Sequence, residues 1–188
     1  MLVLCVAFFL YNVLMAIGTY FVITVILNSS MPIMRHGSTT FSRFFFIFPC
    51  LLEEVAFRLP LVRNKTNILI SLVAFSFYLA SFITYTSFFS TELIIPRVIL
   101  TLLMGTVLFV LLNKRMQKVN YTLYFYSICV TFASFHLLNL PSWNLPVVIY
   151  SMSLFISKLI GGIMLGYLRI KYGIWSSLSL HLLYNYVV

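Results

Sequence analysis

An all-α protein that crosses a bilayer repeatedly is the fold this sequence predicts, on three observations. Hydrophobic residues make up 62% of the 188 and charged residues only 8%, far below the roughly 25% of soluble domains. The mean hydropathy is +1.07. The apolar residues fall into seven runs, most close to the ~20 residues that a spanning helix needs, and no polar stretch is longer than about 15 residues. A polytopic transmembrane helical bundle of about seven spans follows, as a single integral-membrane domain over 1–188 with no room for an attached soluble domain.

In chain order the runs are 2–27, 41–62, 68–89, 93–112, 121–140, 146–168 and 174–188. The first has no positive n-region or convincing cleavage site and exceeds the core of a signal peptide, so it is expected to be a retained helix. The twelve Lys and Arg fall mostly between runs. The second, fourth and sixth connections carry Arg63 and Lys65, then Lys114, Arg115 and Lys118, then Arg169 and Lys171, whereas the first, third and fifth carry Arg35, Arg43 and Arg97. The positive-inside rule then puts the N-terminus in the cytoplasm. The net charge of +9 is explained by topology and lipid headgroups, so nucleic acid is not an expected partner. Cys5, Cys50 and Cys129 lie inside apolar runs without metal-ligand spacing and read as small buried hydrophobes.

Polar residues inside the spans carry the functional signal, because a bilayer excludes them unless they are paired, wet or functional. Of only three acidic residues, Glu53 and Glu54 are adjacent in the second run and Glu92 is the third. Glu54 and Arg58, at i and i+4, share a helix face, and Glu53 points about 100° away. Either the cluster is a structural ion pair, or Arg58 fixes one glutamate and leaves its neighbour to work. A carboxylate in apolar surroundings beside a second one holds its proton more tightly than in water, which suits a general base near neutral pH.

Phe132 and His136 lie one turn apart in the fifth run; the histidine is either hydrogen-bonding glue between helices or part of a site. His181 and Asn185, at i and i+4 in the seventh, are either an interhelical hydrogen-bond pair or two donors able to hold an oxyanion. Glu53, His136 and His181 would lie within roughly two turns of one depth. Lys158, mid-way along the sixth run, either snorkels or pairs with a glutamate. Gly162 and Gly166 form a GxxxG for close helix packing, and Gly173 breaks the chain before the last helix. His36, beside Arg35 and Gly37, reads as a loop residue.

The ordered set Glu53-Glu54-x-x-x-Arg58, Phe132-x-x-x-His136 and His181-x-x-x-Asn185 resembles the CAAX protease and bacteriocin-processing (CPBP, or Abi) family, which includes the type II CAAX prenyl endopeptidases. The Gly162–Gly166–Gly173–Trp175 lead into His181 resembles the family's C-terminal block, and the motif-bearing part covers about 41–188. The resemblance implies an intramembrane endopeptidase acting on a membrane-associated or lipidated protein or peptide. Glu53 with His136 would activate a water, His181 and Asn185 would hold the tetrahedral oxyanion, and Glu54 with Arg58 would orient the site. The favoured chemistry is metal-free. The alternative is Zn²⁺ held by Glu53, His136 and His181, with an open position for water. Competing readings are an inactive immunity or scaffold protein of the same fold and a small transporter, which would need polar groups along a route from both faces. The sequence carries no signal for oligomeric state.

Overall fold

The computed structural model describes residues 2–26, 47–84, 93–138, 140 and 144–187. Among these every regular element is helical: α1 Leu2–Phe21, α2 Ile47–Phe57, α3 Lys65–Ile83, α4 Ile94–Lys118, α5 Tyr121–Leu137, α6 Leu145–Tyr172 and α7 Ile174–Val187. The all-α expectation holds. α3, α4 and α6 are long and apolar enough to cross a membrane. Arg35, His36, Arg43, Glu92 and the side chain of Cys5 lie outside the described residues.

Two compact units interleave along the chain. The first takes α1 with residues 127–137 of α5 and 145–164 of α6. Its buried side includes Cys129, Phe132, Ala133, Leu140, Val147 and Leu154. α1 meets α6 through polar pairs: Thr19 Oγ1 lies 2.8 Å from Ser153 Oγ, and Ser157, one turn further along α6, bonds Asn12, two turns back along α1. Lys158 sits half-buried beside them.

The second unit takes α2, α3, α4, the first turns of α5, the end of α6, and α7. Its second apolar run is not one continuous span. α2 stops at Phe57 and a short 3-10 turn, Leu59–Leu61, follows. Pro60 is the cause: it has no N–H for the carbonyl of Ala56 and its ring crowds that oxygen. Ser71 of α3 supplies the missing donor, its Oγ bonding Ala56 O at 2.6 Å. α3 then restarts at Asn64, whose side chain accepts from the N–H of Asn67 at 2.7 Å as an N-cap.

Two connections are shorter than the hydropathy suggests. Lys114, Arg115 and Lys118 ride on the last turns of α4, and Arg169 and Lys171 on the last turn of α6, where cations complement the helix dipole. Only Val119 and Asn120 separate α4 from α5, and only Gly173 separates α6 from α7. Gly173 has φ +94° and donates to Arg169 O at 3.1 Å, a C-terminal cap that favours glycine. Arg97 is not a surface charge of the third connection. It lies in the first turn of α4 at 1% exposure, donates to Ser81 Oγ at 2.8 Å and sits over the Phe77 ring.

The GxxxG of α6 packs on α5. A β-carbon on Gly162 would meet Phe132 at 3.2 Å, and one on Gly166 would meet Phe125 at 2.8 Å and Leu61 at 3.3 Å. A β-carbon on Gly173 meets nothing within 4 Å, so its cost is purely conformational. Gly173→Ala is expected to destabilise the protein by about 1 kcal/mol, seen as a lower thermal midpoint in detergent, with Gly173→Asn recovering part of the loss.

Candidate active site

α2 and α7 place their polar residues at four-residue intervals and run past each other in opposite directions. Cys50, Glu54 and Arg58 form one stripe; Ser177, His181 and Asn185 form the other. The partners step together: Asn185 Nδ2 reaches Cys50 Sγ at 3.0 Å, and one turn on His181 Nδ1 meets Glu54 Oε1 at 3.0 Å. A helix repeats its face nearly every fourth residue, so two stripes of this spacing on antiparallel helices stay in register over the roughly two turns that each spans.

Glu54 is the centre of the pairing and is completely buried, with 0% exposure. Each carboxylate oxygen has its own partners. Oε1 faces His181 Nδ1 and lies 3.9 Å from Arg58 Nε; Oε2 lies 2.5 Å from Ser177 Oγ. Arg58 keeps its place because its N–H still bonds Glu54 O at 2.9 Å, continuing the helical repeat past the end of α2. Ser177 Oγ also lies 3.0 Å from Leu165 O. A hydroxyl has one proton to donate, and the Glu54 carboxylate is the shorter of its two contacts.

His181 joins the two glutamates. With Nδ1 on Glu54, its Nε2 lies 3.6 Å from Glu53 Oε2. An acceptor at Nδ1 fixes which ring nitrogen carries the proton, so Nε2 is the edge presented to Glu53. The two carboxylates differ in access: Glu54 is sealed, whereas the Glu53 side chain keeps 13% exposure.

The break after α2 is secured from several sides. Besides the Ser71 bond, Arg169 Nε donates to Arg58 O at 3.3 Å, Tyr124 OH to Pro60 O at 2.8 Å and Tyr121 OH to Leu61 O at 3.2 Å. Buried carbonyls without partners are costly; here donors from α5 and α6 meet them and thereby hold Arg58 against Glu54.

The second unit therefore brings together Glu53, Glu54, Arg58, His181 and Asn185 of the sequence-predicted set. His136 belongs to the first unit, half-buried. Its Nδ1 lies 2.9 Å from Phe132 O and its ring stands edge-on to Phe132 at 4.7 Å. The one-turn spacing of that motif thus fixes the tautomer, with Nδ1–H donating and Nε2 left as the ring's acceptor. Among the described residues no three of His, Cys, Asp and Glu are grouped as a metal site needs. Cys50 and Cys129 are buried free thiols. Ser177 and Cys50 are the participants that the motif reading missed. Each lies four residues from a residue it did identify, so extending each stripe by one turn would have found both.

Residues 108–187 match a family whose description is Rce1-like, type II CAAX prenyl endopeptidase Rce1-like. The likeness read from the motifs is thus borne out over a segment that contains His136, Ser177, His181 and Asn185, somewhat less than half the chain. Glu53, Glu54 and Arg58 precede it. No curated protein and no solved structure matches the chain.

Removing one partner of a buried ion pair leaves the other charge uncompensated, at a cost of about 3–5 kcal/mol. Arg58→Met is therefore expected to destabilise the protein on that scale. The Glu54→Gln/Arg58→Met double variant should lose less than the two single losses combined, as measured by unfolding in detergent micelles.

Proposed function

We propose that this chain is an intramembrane endopeptidase, hydrolysing a peptide bond of a membrane-associated or lipidated protein with a water activated by Glu53. One observation carries the reading: a histidine bridges a sealed carboxylate and a partly exposed one, on a segment similar to the type II CAAX prenyl endopeptidases. A structural ion pair needs one buried carboxylate and its cation. It does not need a second carboxylate, accessible and turned toward the other edge of the imidazole.

In this reading Glu53 takes a proton from water as the oxygen attacks the scissile carbonyl, then returns it to the leaving amine. Glu54, held by Arg58 and Ser177, does no proton transfer; it orients His181. His181, held through Nδ1 by Glu54, is the residue that the family resemblance assigns to the developing oxyanion. Asn185 is the second donor, since its amide rests on the sulfur of Cys50, a weak acceptor that an oxyanion readily replaces. Preorganised donors of this kind stabilise the transition state more than the ground state. For His136, whose Nδ1–H is held on Phe132 O, a share in activating that water is what the family resemblance implies. The basic connections face the cytoplasm, and the substrate is reached from that side.

The test is cleavage of a prenylated peptide with a C-terminal CAAX sequence, and of an unprenylated membrane-anchored peptide, by the purified protein in proteoliposomes. Glu53→Gln keeps the shape and removes the base, so turnover should fall by about 10²–10⁴-fold with the thermal midpoint unchanged. Wild-type rates from that folded variant would end the assignment. Asn185→Ala should lower kcat with little effect on KM, the signature of an interaction made mainly in the transition state.

A further inference from the structure

A second cluster in the same unit takes no direct part in the carboxylate–imidazole site. It consists of Arg63, Lys65, Lys114, Arg115, Lys118, Arg169 and Lys171, seven of the twelve basic residues of the chain. They come from three separate stretches that the fold gathers at one end. Arg63 Nη1 donates to Val119 O at 2.8 Å, and its guanidinium lies 4.4 Å from the Tyr124 ring centre and 4.9 Å from that of Tyr121. This ties the break after α2 to the α4–α5 corner. Arg169 Nε donates to Arg58 O at 3.3 Å, which adds the end of α6.

Among the described residues none of the exposed cations has a carboxylate in ion-pair range, and of the cluster the buried Glu54 bears on Arg169 alone. Between Glu54 and the C-terminus the sequence has one acidic residue, Glu92, more than twenty positions from Lys114. Lys65, Lys114, Arg115, Lys118 and Lys171 are exposed. Around them stand exposed aromatics: Tyr167, Tyr172 and Trp175, the last at 75% exposure. Lys171 Nζ bonds Tyr167 OH at 2.9 Å. Aromatic rings with a wet polar edge, set among cations, are the composition of a protein surface at headgroup level. The geometry of α4 agrees. Its exposed apolar residues continue to Leu111, and Lys118 then stands about 10 Å further along the axis. That is enough to cross the ~5–8 Å headgroup layer of one leaflet.

We propose that this basic end is a docking surface for anionic phospholipid headgroups, held chiefly by Lys114, Arg115 and Lys118, with Arg63 and Arg169 as its inner wall. Charge selects the occupant: a zwitterionic headgroup brings no net charge to seven cations, whereas each basic residue near an anionic surface is worth about fivefold in binding. The surface is joined to the candidate site through its inner wall. Arg169 bonds the carbonyl of Arg58, and the rings that stack on Arg63 bond the next carbonyls of the break. Anionic lipid at this end therefore steadies the segment that carries Arg58. Lipid docking does not rest on the peptidase reading.

The experiment uses the full chain in nanodiscs of phosphatidylcholine alone or mixed with phosphatidylglycerol, with retained lipid identified by native mass spectrometry after gentle extraction. Phosphatidylglycerol is expected to be retained at least about tenfold over phosphatidylcholine, and the preference should weaken in high salt. The Lys114→Gln/Arg115→Gln/Lys118→Gln variant should lose at least about tenfold of that preference, and its thermal midpoint should no longer rise with phosphatidylglycerol. Lys118→Glu alone should lose part of it, and Lys114→Arg/Lys118→Arg should keep it. Equal retention of both lipids overturns the proposal. So does unchanged preference in both the triple variant and Lys118→Glu, or displacement of the lipid by polyglutamate, which would mark the surface as one for an acidic protein segment. Retention needs no cleavage, so its failure is separate from failure of the Glu53→Gln test.

Discussion

The burial of one carboxylate governs the local architecture of the second unit. Taking Glu54 out of water costs several kcal/mol unless charge and hydrogen bonds offset it. Its two oxygens have three partners from two directions: Arg58 from its own helix, and His181 and Ser177 from α7. The mutual placement of α2 and α7 is specified by these polar pairs, because apolar packing alone gives little register between helices surrounded by lipid.

The break after α2 is the second constraint, and it makes the first possible. Pro60 ends the helix one turn past Glu54 and exposes a row of carbonyls. In an apolar setting each must be met, and α3, α5 and α6 each contribute a donor. Three helices are thereby fastened to the segment that holds Arg58. A continuous helix would satisfy the same carbonyls internally and leave α5 and α6 without that anchorage. The proline that looks like a defect in a span is the reason the ion pair is held from outside as well as within.

Much of this was legible in the sequence, and what was missed has physical causes. Hydropathy located the helices because lipid exposure imposes a composition over some twenty residues. It misplaced their ends, since Lys114–Lys118 and Arg169–Lys171 are polar and yet continue helices. It also ran the second span through Pro60, which local backbone chemistry forbids and an average over twenty residues does not register. The pairs Glu54–Arg58 and His181–Asn185 were visible as one-turn spacings. The bond between them was not, because no local rule relates residues more than a hundred positions apart. Ser177 escaped for another reason: a serine in an apolar helix commonly bonds its own backbone, so it carries little signal until its neighbour is known. Arg97 looked like a loop charge because burial cannot be read from an arginine's type.

The sequence left open which glutamate acts, since a small rotation of α2 would exchange Glu53 and Glu54. The burial of the two side chains supplies an argument. A general base must meet water, and Glu54 has no exposure, both oxygens occupied and a cation one turn away. These same features hold it in place, as an orienting group requires. Glu53 has the access that Glu54 lacks and meets His181 only at its second nitrogen. Rotating α2 to exchange them would require burying Glu53 without Arg58 on its face, since the arginine is four residues from Glu54 and five from Glu53. The position of Arg58 thus fixes the rotation of the helix, and this is the physical support for the proposal that Glu53 rather than Glu54 is the base.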